Sequence, residues 1–348
     1  MKKILTKVDT TLNTPAGRGF FYFLLFICSI LFVFGCGDSL QKTPGPDTAF
    51  VASLKDQAVN IVRQGLADYD PRVRVAAIEV VALTRQLKLM PIVQRLLNDN
   101  SVPVRFAASL AVGDNQYHIA ENSVRELLDD RNENVRIAAA YAITRLGSQQ
   151  GFDILRTATA STDHQVRANA VLLLGKTANT QALELLYWAL EDKDSDYGTR
   201  LQAAEAIAKL GDERIYRKLW AILISAYADD RVMGARAMGA LGTEQAKNAL
   251  ITMLDDDWLE VRLTAAAQLG TLGYKDGEPE VLDVFNKNLT NDLDKKDDIE
   301  RVNVLTATAI GRIGSAKLTR FLPRLLQNES KFVRLAAARA VLLCLIKK

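Results

Sequence analysis

A chain of 348 residues, about half of them apolar, with few aromatic side chains and only 8 prolines, has the composition of a well-ordered helical protein and not of a disordered or low-complexity one. The formal net charge of +3 belongs to residues 1–35, where Lys2, Lys3, Lys7 and Arg18 face only Asp9; the remainder balances 40 basic against 40 acidic side chains, so the basic face expected of a nucleic-acid partner is missing. Of the three cysteines, Cys28 and Cys36 belong to the N-terminal segment, which leaves Cys344 no partner for an internal disulfide.

The basic residues precede an apolar run of fifteen, Phe20 to Phe34, followed by Gly35-Cys36, in the order of an export signal. The run is short for a membrane span, which takes roughly 17 to 25 residues. Val33-Phe34-Gly35-Cys36 resembles the lipobox of bacterial lipoproteins, with Val33 in place of the commoner Leu and Phe34 where a small residue is usual. The resemblance implies that residues 1–35 are a cleaved signal peptide and that Cys36 is lipidated; an uncleaved anchor is the alternative. Either outcome places the rest of the chain outside the cytoplasm, on a membrane. Gly37 after the cysteine resembles the outer-membrane sorting pattern, which would leave the protein facing the periplasm. Residues 36–48, rich in Gly, Pro and polar side chains, read as a flexible tether.

From residue 49 to 348 the sequence is a repeat. A Val-Arg-x-x-Ala core recurs with its basic residue at Arg74, Arg105, Arg136, Arg167, Arg200, Arg231, Arg262 and Arg334, and Asn303 stands in once. Six of the eight intervals are 31 residues; the others are 33 and 41. A period of that size means a solenoid, in which each unit buries its apolar face on its neighbours. Three positions after the basic residue the side chain is small (Ala77, Ala108, Ala139, Ala170, Ala203, Gly234, Ala265, Thr306, Ala337), and seven after it is large and apolar (Val81 through Val341), so both lie on one packed helix face. Asp70, Asn132, Asp163 and Asp196 are placed to cap the start of this helix, and Gly147, Gly211, Gly242, Gly273 and Gly314 to end it. A first helix precedes it in each unit, as in Leu183, Leu186 and Leu190, or Leu318, Leu322 and Leu325. The fold expected is all-α, a superhelical α-solenoid of about nine helix pairs, stacked at roughly 10 Å per pair into an elongated, curved array of about 80 to 90 Å.

The pattern, nearest to complete in Val261–Gly270, resembles HEAT repeats, and its short period resembles the phycobilisome-lyase-type branch. That resemblance implies that the repeated arginines bond neighbouring inter-helix loops in a structural ladder, and that the array is a protein–protein interaction scaffold. HEAT-like di-iron hydroxylases carry repeated His-Glu pairs; here the histidines are His118 and His164, neither followed by Glu, so no metal or other cofactor is expected. No nucleophile elbow, phosphate loop or dinucleotide fingerprint occurs, and no enzymatic activity is expected. The acidic stretch 291–300 reads as a solvated loop, and Trp188, Trp220 and Trp258 as packing residues.

Positions two, five and nine after the basic residue point away from the packed face and would line a concave groove. In the middle of the array they hold Tyr141, Arg145, Asn169, Lys176, Gln202, Glu205, Lys209 and Arg236. Arg145, Lys176 and Lys209 share the ninth position in consecutive units, a basic row suited to an acidic segment, with Tyr141 as an aromatic anchor. The function expected is a membrane-tethered scaffold of the bacterial cell envelope, a monomer that binds a partner protein or peptide in this groove; a lyase or chromophore chaperone resembling phycobilisome lyases is the alternative.

Overall fold

The computed structural model describes residues 46–291 and 293–346; the expected signal peptide, Cys36 and most of the expected tether lie outside them. The first helix begins at Pro46, within the expected tether, where a first-turn proline lacks only an N–H that the helix would leave unpaired. Among the described residues every regular element is helical.

The chain runs as pairs of an outer and an inner helix: α1 (Pro46–Leu66) with α2 (Pro71–Thr84), α3 (Met90–Arg95) with α4 (Val102–Asp114), α5 (Glu121–Glu126) with α6 (Glu133–Arg145). There follow α7 (Gln149–Ala158) with α8 (His164–Lys176), α9 (Leu183–Glu191) with α10 (Tyr197–Lys209), and α11 (Tyr216–Leu223) with α12 (Ala228–Leu241). The last are α13 (Glu244–Thr252) with α14 (Leu259–Thr271), α15 (Glu278–Asn286) with α16 (Lys296–Ile313), and the short α17 (Ala316–Thr319) and α18 (Leu322–Leu326) with α19 (Lys331–Ile346). The stretch 291–300 is only partly a loop, because the longer 41-residue interval is spent on extending α16, whose helix already begins at Lys296.

Local chemistry sets the ends of the inner helices. Asp70, Asn132, Asp163 and Asp196 each accept a backbone N–H of the first turn, at 2.7 to 3.0 Å in the shortest bond of each. Eleven residues after the basic position the backbone turns left-handed in the first eight units, at the five glycines but also at Arg85, Gln116 and Ala178, whereas in the last unit α19 runs on through that position. All nine small residues and all nine large ones are buried, at 4 % exposure or less where a value is resolved. At Gly234 a side chain has no room, since a Cβ would meet the backbone of Leu223 at 2.9 Å.

The array does not stay open. Each inner helix packs on the next from α2 to α19, and α19 packs back on both α1 and α2. Gly65 on α1 lets the seam close: a Cβ there would lie 2.9 Å from that of Ala77 on α2 and 3.1 Å from Leu335 on α19. Lys331 Nζ reaches Asp68 at 2.7 Å across the same seam. The α-solenoid of helix pairs is as expected, and its expected elongated course of 80 to 90 Å is corrected to a closed ring. The nine inner helices among the described residues, about 9 to 10 Å apart, put their axes on a circle of about 14 Å radius, and subtracting the helices' own thickness, side chains included, leaves a lumen about 16 Å wide.

Candidate functional site

The ladder arginines stand in the first turns of the inner helices and reach back to the loops that join outer to inner helices. Arg74 donates to the carbonyls of Asp68 and Tyr69 and to Asp99 Oδ1 in the next loop, at 2.8, 2.9 and 2.8 Å. Arg105 repeats this with Asp99 O at 2.8 Å and holds the Asp130 carboxylate with two nitrogens, at 2.8 and 3.0 Å. Arg231 grips Asp256 the same way, at 2.7 and 2.9 Å. Burial alone would raise the Asp256 carboxyl, but Arg231 and the Trp258 N–H hold it below the usual carboxylate range. Arg167 bridges to Asp194 O at 3.0 Å, and Arg262 to Asp256 O at 2.6 Å and Glu280 at 2.9 Å. Arg136, Arg200 and Arg334 bond the carbonyls of their own loops. Asn303 is too short for this and bonds Ile299 O.

The seam uses the same parts. Asp68 stands in the first loop where Asp99, Asp130 and Asp256 stand in later ones, and it accepts the N–H two residues on, as they do. Among the described residues no arginine of an earlier repeat stands against it. Lys331 of the last repeat does that work, and its bond, followed by the Asp70 N–H, holds the Asp68 carboxyl below the usual range.

Closure turns the expected groove face into the wall of the lumen. Tyr141 is only 1 % exposed, so it is not an aromatic anchor for a partner; its hydroxyl donates to Asp114, and burial, then that carboxylate, pushes the phenol up. Lys176 bonds the other oxygen of Asp114 at 2.9 Å and lies 5.5 Å over the Tyr141 ring. Lys209 bonds Glu205 at 2.6 Å, and Arg236 lies 3.7 Å from the same carboxylate, which is itself 4 % exposed. Two members of the basic row are thus already paired. The third, Arg145, donates to Thr177 O at 3.4 Å. Asn169 bonds Asn134 at 2.8 Å, and Gln202 keeps a buried oxygen with no hydrogen-bond partner.

The expected site omits Glu79, Asp114, Thr308, Arg312 and Arg339, which hold the same fifth and ninth positions in the outer repeats of the sequence. The signal was present in the register, and an open array hid it by placing these residues far from the middle. Glu79 is exposed, yet desolvation raises its carboxyl, and it feels Arg339, Lys176 and Arg236. Lys176 and Arg236 stand on α8 and α12, well round the ring from α2, so these fields cross the lumen. The inner positions carry six cations (Arg145, Lys176, Lys209, Arg236, Arg312, Arg339) and three carboxylates (Glu79, Asp114, Glu205). The tryptophans do not pack as expected: Trp188, Trp220 and Trp258 are 46 %, 37 % and 55 % exposed.

A ring of stacked helix pairs, held by an arginine ladder and displaying a charged inner wall, is a repeat scaffold. The chain belongs to the HEAT repeat family: HEAT repeats match residues 59–144, 89–167 and 153–232, and a PBS lyase HEAT-like repeat matches 230–256. No characterised protein sequence matches it. Solved structures similar to it include human deoxyhypusine hydroxylase in complex with glycerol, 17 % identical over 76 % of this chain and 97 % of that one, with a TM-score of 0.37. The complex of CpcE and CpcF of phycocyanin lyase from Nostoc is 16 % identical over 72 % and 93 %, with a TM-score of 0.39. Kap121p is 16 % identical over 82 % of this chain and 37 % of that one, with a TM-score of 0.29.

Proposed function

We propose that this protein is a membrane-tethered interaction scaffold of the bacterial cell envelope that takes an extended, acidic segment of a partner protein into its ring. The observation that carries the reading is the surplus of three positive charges on the inner wall of repeats that are nearly balanced as a whole. A lumen about 16 Å wide between the side chains of facing helices admits an extended strand and excludes a folded domain. Opposite charge would act chiefly on encounter rate and on the choice of partner. The basic N-terminus, the fifteen-residue apolar run and Gly35-Cys36 support a lipid tether at Cys36.

The test is crosslinking in the native cell, followed by mass spectrometry, on full-length protein and on Arg145→Glu with Arg236→Glu, inner cations of the middle repeats with no ion pair closer than 3.7 Å. Loss of one acidic partner with unchanged melting is the expected result; an identical partner set would overturn the reading. Radiolabelled palmitate should enter the wild-type protein and not Cys36→Ser, and labelling that survives the substitution removes the tether.

A further inference from the structure

Closing the ring brings two unlike outer helices together. α1 runs for 21 residues, where α3, α5, α7, α9, α11, α13 and α15 run for 6 to 10. Its extra turns lie on the rim away from the ladder loops and carry Phe50, Val51 and Leu54 on one face. The outer helix of the last repeat is broken instead: α17 stops at Thr319, and α18 starts at Leu322 with Pro323 in its first turn. A long helix set against a broken one does not fill the space between them, and a cavity of about 580 Å³ lies there.

The chemistry of its lining is one-sided. Phe50, Val51 and Leu54 of α1 share it with Leu322 and Pro323 of α18, and the end of α19 adds Val341 and Cys344. Phe50 is 57 % exposed, a large apolar side chain that folding leaves in water. The one charged lining residue is Arg320, between α17 and α18. It is exposed, lies 4.7 Å over the Phe321 ring, and among the described residues makes no ion pair. Sites for small molecules have volumes of about 300 to 1,000 Å³ and join an apolar wall to a few polar groups that fix orientation, which is the make-up of this cavity.

We propose that the cavity binds one long-chain fatty acid, its hydrocarbon tail between α1 and α18 and its carboxylate on Arg320. Charge decides among ligands with an apolar tail. A single guanidinium matches the single charge of a carboxylate, which its planar fork takes with two parallel hydrogen bonds. A neutral chain would make no use of Arg320, and a doubly charged phosphate headgroup would find no second cation in the lining. The site lies outside the lumen and does not rest on the reading of the lumen as the partner site. Because its walls come from the first and last repeats, a bound chain would bridge the seam.

The test is isothermal titration calorimetry on the full-length protein, with octanoate, decanoate and decanol as probes. Decanoate should bind one to one, and more tightly than octanoate by up to about fourfold for each added methylene. Arg320→Gln should weaken decanoate by about two- to fivefold, the worth of an exposed ion pair, and leave decanol unchanged. Ala316→Phe, at an exposed lining position, should remove the binding of both with unaltered melting. Cys344 gives a second readout: decanoate should slow its alkylation, followed by mass spectrometry of its peptide, in the wild type and not in Ala316→Phe. Equal affinity for octanoate and decanoate, wild-type behaviour of Arg320→Gln towards both decanoate and decanol, or alkylation of Cys344 that decanoate does not alter would each overturn the proposal. Capture of phosphatidylglycerol vesicles without binding of decanoate would assign the face to a membrane surface instead. A dimer in light scattering that decanoate does not dissociate would assign it to a second copy, and either result removes the fatty acid.

Discussion

Replacing Arg105 and Arg136 by alanine, one repeat apart and at the same ladder position, should cost very different amounts. Arg105 and Asp130 form a two-nitrogen ion pair whose side chains are 15 % and 9 % exposed, and Arg105 also holds Asp99 O at 2.8 Å. Its removal strands a carboxylate that has lost its counter-charge in a poorly hydrated place, a change that costs about 3 to 5 kcal/mol. Arg136 has no such acid. It bonds Asp130 O at 3.0 Å and Arg131 O at 3.5 Å, and its contact with Glu133 is a 3.7 Å surface pair with 37 % and 45 % exposure. Water can replace most of that, so Arg136→Ala should cost about 1 kcal/mol. Urea unfolding followed by far-ultraviolet circular dichroism measures both, with an unchanged m value as the condition for comparing midpoints. Equal costs, within about 0.5 kcal/mol, would show that the ladder acts through carbonyl bonds alone and that the loop acids add nothing.

The closed seam places Lys331 Nζ 2.7 Å from Asp68 Oδ2 although 263 residues separate them, so a zero-length carbodiimide should join the two within one chain. Absence of that cross-link, with other ion pairs of similar exposure coupled, would mean that the ring is open in solution. Ala178 sits in the left-handed region at φ 60°, where Gly211 and Gly242 serve in later repeats. Ala178→Gly should therefore stabilise by about 1 kcal/mol, and the reverse change at Gly211, where nothing lies within 4 Å of an added Cβ, should cost a similar amount. Thermal melts of the two variants that move in the same direction would contradict this account.

What could be read from the sequence was local or repeated. Asp70 and its equivalents cap within three residues of themselves, the small and large positions pack within one helix pair, and the arginine ladder spans adjacent loops, so each is written in a single period. Even the left-handed position was legible through its glycines, and Arg85, Gln116 and Ala178 show that the repeat enforces that turn without them. Asn303 was visible as a break, and the structure adds its reason: the side chain turns back to Ile299 O and the extra residues lengthen α16. The exposed tryptophans were misread because bulk alone does not reveal the side of a helix, and Trp258 lies at a helix start, outside the packed stripe.

Closure was harder to read because it depends on a small rotation summed over nine units, and no single period records the sum. Two features nevertheless bear on it. An open array must blunt its ends with polar capping repeats, yet the last inner helix carries Val333, Leu335, Ala338 and Leu342, all buried at 2 % exposure or less. Asp68 likewise presents a ladder acid that, among the described residues, only Lys331 of the last repeat pairs with. In a ring both facts have one cause, since the first and last repeats cap each other and share a ladder rung. The same step brings Glu79 from the first repeat into the fields of Lys176, Arg236 and Arg339, residues 97, 157 and 260 positions further along the chain. The inner wall is therefore a property of the closed ring, and residues that an open array would hold at opposite ends act together on whatever enters it.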